Sequence, residues 1–137
     1  AISATDILSF FCKKGIFAGE IWFLSSIKSY EDNVTGEVLL EIELNSIKKS
    51  KLKCAASGND FADVSAKVIK DLFNEEIEII QVQTYSFGSP GSIKYKCNLK
   101  ASFTGKIYSS SNVAGRISES VFNAFLDIHN QIGGCNA

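Results

Sequence analysis

The side chains able to do chemistry are few in this sequence, and they are scattered. His129 is the only histidine in 137 residues. A general base needs a partner and a pocket, and no serine or cysteine pairing with it is visible. It falls off the apolar stripe of the last helical segment, between Ile128 and Asn130, and reads as a surface or interface histidine. Glu37, Glu41 and Glu43 alternate with Leu40 and Ile42. That spacing puts the carboxylates on the wet side of a strand, not in a sheltered acid/base pair with separated pKa values. Cys12, Cys54, Cys97 and Cys135 are widely spaced and form no C-x-x-C pair, so the close ligand pairs of a zinc site are missing. Cys54 and Cys97 sit on strand-like alternations and read as small core residues in a reducing compartment. No catalytic residue, metal site or cofactor is expected.

What does suggest binding is a pair of helix beginnings. Ser57-Gly58-Asn59-Asp60 precedes an apolar periodic run and has the composition of a turn and helix start. Free backbone N–H groups and the positive end of the helix dipole suit an anion such as a carboxylate, although Asn59 or Asp60 also serves there as an ordinary cap. Ser109 to Gly115 is a second start of the same kind, small, polar and next to a strand end. Two such starts related by a repeat outline a small-molecule site between them.

The elements that would position them follow from hydrophobic periodicity. Ser3 to Gly15 reads as a short helix with Ile7, Leu8, Phe10 and Phe11 on its apolar face. From Glu20 the period changes to two, with Ile21, Phe23 and Ile27 in a first strand. Val38, Leu40, Ile42 and Leu44 form a second and Leu52, Cys54 and Ala56 a third. Phe61, Val64, Val68 and Leu72 then recur at helical spacing, with Ile69 and Phe73 widening the stripe. The order repeats: Ile77, Ile79 and Ile80; Ile93, Tyr95, Cys97 and Leu99; Ile107; and a helix carrying Ile117, Val121, Ala124, Phe125, Ile128 and Ile132, stopped by Gly133-Gly134. The expected fold is α+β, two βββα pseudo-repeats about 55 residues apart with helices on antiparallel sheet. The partition is residues 1–19 as helix and connector, then one domain, 20–137, with repeats 20–75 and 76–137.

Composition narrows the setting. Hydrophobic residues make up 45% and charged residues 21%, enough for one packed core. A net charge of −1 argues against a general nucleic-acid binder. The cluster Lys48, Lys49, Lys51 and Lys53 reads as a solvated turn. No apolar run approaches the ~20 residues of a membrane span. The start has neither a signal-peptide pattern nor a Met, which fits a processed product or a piece of a longer chain.

The layout resembles the C-terminal regulatory domain of the isopropylmalate and citramalate synthases. In that family the first turn–helix junction reads approximately G-x-G-P-V-D-A. The matching stretch runs from Gly58 to Val64, where Gly58, Asn59 and Asp63 fit and Asp60 and Phe61 replace the second glycine and the proline. Ala124-Phe125-Leu126-Asp127-Ile128-His129-Asn130 is similar to the A-Y-L-x-x-L-N ending of the family's second helix. The resemblance implies a non-catalytic, cytoplasmic, homodimeric domain of an acetyl-CoA-dependent transferase, joined to a catalytic barrel. Leucine or isoleucine would bind where two such domains pair, giving feedback inhibition of branched-chain amino-acid biosynthesis. Carried over by position, the effector site comprises Gly58, Asn59, Phe61 and Ala62, Ile79, Val82 and Ser86 from the strand that opens the second unit, and Asn112. The alternative is an interaction or assembly module without a small-molecule ligand, docking through a sheet edge or through Trp22-Leu24 or Phe10-Phe11.

Overall fold

The computed structural model describes residues 20–136, with side chains described as far as residue 133. The expected helix at Ser3 to Gly15 lies outside the described residues. Within them the order is β1 (Trp22–Glu31), β2 (Val38–Ser46), β3 (Lys51–Gly58), α1 (Phe61–Phe73), β4 (Glu78–Phe87), β5 (Lys94–Phe103), β6 (Lys106–Ala114) and α2 (Ile117–Asn136). Each repeat makes its own three-stranded antiparallel sheet, β1-β2-β3 and β4-β5-β6. The fold is therefore α+β, two βββα units.

The repeat is visible in the register. An unpaired bulge residue interrupts the first strand of each unit, Ser25 in β1 and Ile80 in β4, 55 positions apart. Val38 and Tyr95 hold matching places on β2 and β5, 57 apart, each opposite the last residue of the next strand. The helices begin at Phe61 and Ile117, 56 apart. The hairpins close through positive-φ residues, as at Thr104-Gly105 (φ 49° and 80°) between β5 and β6, where glycine takes that conformation freely and the β-branched threonine does not. The Asp32 side chain accepts from the N–H groups of Val34 and Thr35 at 2.8 and 3.3 Å in the β1–β2 turn.

Directly paired residues share a face of an antiparallel sheet. Val38, Leu40, Ile42 and Leu44 are buried on one face of β2, and Cys97, Leu99 and Ala101 on one face of β5. Helix α1 packs on β3 and β2 through Val64, Val68 and Ile69. Helix α2 packs on β6 and β5, on α1 and on β1, so it ties the units together. The buried residues of both units form one cluster, in which Phe122 and Phe125 are the largest fully buried side chains.

Three sequence-based readings need correction. The stretch Ser109 to Asn112 is not a loose helix start; β6 runs through it to Ala114. Serine and asparagine are poor strand formers, but Ser109 and Ser111 pair with Lys100 and Asn98 of β5. The Ser110 hydroxyl donates to the Ala124 carbonyl at 2.7 Å, so tertiary bonds hold the strand where its composition does not. Gly133-Gly134 does not end α2, which continues to Asn136; glycine permits a helix stop without forcing one. Trp22 is buried, and Asn130 brackets its backbone, accepting from the Trp22 N–H at 3.1 Å and donating to its carbonyl at 3.0 Å. It is no docking residue.

Candidate functional site

The start of α1 is built by its own side chains. Asp60 is the N-cap, in extended backbone, and its Oδ1 accepts from the Asp63 N–H at 2.8 Å. Asp63 Oδ2 reaches back to accept from the Asn59 N–H at 3.2 Å and faces Lys67 Nζ at 3.4 Å. Lys67 in turn donates to the Ser57 carbonyl at 2.9 Å. Gly58 is there because the cap needs the room: a Cβ at that position would stand 2.2 Å from Asp63 Oδ2. Gly58 and Asn59 thus serve the cap. The Val64 N–H bonds the Asp60 carbonyl, which leaves the N–H groups of Phe61 and Ala62 as the open donors of the first turn among the described residues.

Those two residues line a cavity of about 260 Å³. Asp60 stands at its rim, Val82 and Thr84 of β4 form one wall, and Ile117 and Val121 of α2 form another. The space lies where the first turns of both helices face the strand that opens the second unit. Of the expected site residues, Phe61, Ala62 and Val82 come together here. Ile79 and Ser86 lie on the same helix-facing side of β4, opposite Ala101 and Tyr95, but beyond the cavity. Asn112 sits within β6, half-buried opposite Cys97, and does not line it. Thr84, Ile117 and Val121 were missed. The i, i+2 step from Val82 and the i, i+4 pair on α2 were the signals that could have found them.

The site joins opposite chemistries at short range: an acidic rim, two open backbone donors at a helix N-terminus, one hydroxyl, and aliphatic walls. Larger hollows open on the outer sheet faces, about 440 Å³ beside Gln81, Gln83, Asn98 and Lys100, and about 390 Å³ beside Ser26, Glu41, Glu43 and Lys53. They are open sheet surfaces lacking convergent aliphatic walls. In the second, Glu43 carries an exposed ion pair with Lys53 at 3.1 Å.

His129 is not the surface residue its sequence position suggests. It is 8% exposed, its Nδ1 meets Glu75 Oε1, and its ring stacks on Phe73 with centroids 3.7 Å apart. Phe73 also contacts Trp22, 5.9 Å between centroids. This cluster is largely buried and lines none of the cavities described above; it fastens α2 to the end of α1. Cys97 is buried, and burial pushes its thiol up to about 11. The Cys54 thiol is also raised, by burial first and then by the Asp71 charge. Among the described residues no three His, Cys, Asp or Glu side chains converge as metal ligands, and no helix is long and apolar enough to cross a membrane.

No protein-family model matches this chain, and no curated protein matches it.

Proposed function

We propose that this chain is a non-catalytic regulatory domain that binds a small aliphatic amino acid, leucine or isoleucine, and passes the binding on to a catalytic partner domain. The observation that carries the reading is the cavity where both helix beginnings meet β4. Its polarity suits a zwitterion. The open N–H groups of Phe61 and Ala62 take the ligand carboxylate, the Asp60 carboxylate takes the ammonium group, and Val82, Ile117 and Val121 take a branched side chain. Asp60 already caps Asp63, so it is held in place before any ligand arrives.

The layout of the chain, together with its likeness to the isopropylmalate and citramalate synthase regulatory domains, supports the rest of the reading. The parent would be a cytoplasmic acetyl-CoA-dependent synthase with a catalytic barrel, the domain would be homodimeric, and the effector would be the end product. Feedback then works by differential affinity of the effector for two states of the enzyme. Titration calorimetry with leucine, isoleucine and valine tests the proposal. Saturable heat with at least one of them is expected, lost in Val82→Trp, which fills the cavity from a half-exposed position. Absence of heat at millimolar ligand with all three would overturn it.

A further inference from the structure

We infer that β4 is a pairing edge for a second copy of this chain, two β4 strands running antiparallel about a two-fold axis to fuse two three-stranded sheets into one of six. Likeness alone supports the homodimer proposed above; the pairing rests on the strand itself and holds whether or not the cavity takes an amino acid.

Among the described residues strand β4 hydrogen-bonds only β5, and all ten of its residues are exposed. Ile79, Ile80, Val82, Tyr85 and Phe87 are 36% to 49% exposed, so apolar surface is bare on both faces. Edge strands are normally protected from such pairing by charge or proline. The other three edges follow that rule: β1 carries Lys28 and Glu31, β3 carries Lys51 and Lys53, and β6 opens with Lys106. From Ile79 to Phe87 there is neither a charge nor a proline.

The internal repeat shows what is missing. Ile27 in β1 and Val82 in β4 occupy the same place, two residues beyond their bulges. Ile27 is 6% exposed and Val82 is 37% exposed. Helix α2 covers β1, whereas among the described residues no helix covers β4 to the same extent.

The strand is compatible with a copy of itself. Opposed residues must point to the same side, which allows a register centred on Gln83. Val82 then faces Thr84 of the second copy, Gln81 faces Tyr85, and no like charges meet. The exposed side chains of the strand offer on the order of several hundred Å² per copy, below the ~800 Å² per partner of a standard interface, so a weak, reversible association is expected.

Sedimentation velocity over roughly 1–100 µM protein tests the inference, because that range brackets a micromolar dissociation constant. A reversible dimer is expected without added ligand, and Gln83→Lys, which sets two ammonium groups face to face, should weaken it at least ~10-fold. Oxidative cross-linking gives an independent readout. Gln83→Cys should form a disulfide-linked dimer, while Ser109→Cys, on the same sheet face but two strands away, should not exceed wild type. A monomer throughout the range, or a dimer untouched by Gln83→Lys in a protein with wild-type circular dichroism, would overturn the pairing. Because no amino acid is present, failure here is distinguishable from failure of the effector reading.

Discussion

Asp60 has two roles that substitution can separate. Its carboxylate caps α1 and forms the rim of the cavity. Asparagine caps almost as well as aspartate, so Asp60→Asn should leave the melting temperature nearly unchanged while lowering amino-acid affinity about tenfold, through loss of the charge on the ligand's ammonium group. Asp60→Ala removes the cap as well and should cost about 1 kcal/mol in chemical denaturation. A second prediction concerns Cys97. Its thiol is raised from 9.0 to about 11 by burial, so the folded state holds its proton more tightly than the unfolded chain. That contribution to stability is complete below pH 9 and fades as pH rises toward about 11. Denaturant midpoints measured across this window should fall for wild type more steeply than for Cys97→Ala. Thiol reagents near neutral pH should modify Cys97 only on unfolding.

At the scale of elements, the two units solve the same problem with different materials. In the first, β2 buries four aliphatic side chains and α1 lays a stripe of Val64, Val68 and Ile69 on them. In the second, β5 buries only Cys97, Leu99 and Ala101, and the bulk is supplied by Phe122 and Phe125 of α2. Phe125→Ala should therefore destabilise the whole molecule by about 3–5 kcal/mol, read as a lower denaturant midpoint at unchanged slope. Helix α1 and the central strands were legible because their stripes are strict and the cap of α1 is local. The β6 segment was not, since Ser109 to Asn112 carries no apolar alternation and is held by β5 and by the Ala124 carbonyl. The same limit explains His129. Its partner, Glu75, is 54 residues away in sequence, and no local pattern announces that pair.

For the molecule as a whole, the repeat offset was readable because strand lengths nearly match between units. The breaking of that symmetry was not. Asn130 of α2 fastens the start of β1, and α2 lies across β1 as well as its own sheet, so the first unit is covered by the second without full return. The site was legible to the same degree: sequence position brought forward Phe61, Ala62 and Val82, while Ile117, Val121 and Thr84 required the approach of α2 and β4 in space. Fastening by Asn130 should be measurable. Asn130→Ala leaves the Trp22 N–H and carbonyl buried without those partners and should cost about 1–3 kcal/mol, with faster amide hydrogen exchange in β1 than in β5.

The proposal that the two helix starts and β4 cradle an amino acid is tested most directly by amide chemical-shift mapping during titration of the chain with leucine or isoleucine. Saturable shifts should centre on Phe61, Ala62, Val82, Thr84, Ile117 and Val121 and be absent in Val82→Trp. Unmoved amides at millimolar amino acid, or shifts confined to other parts of the molecule, would contradict it.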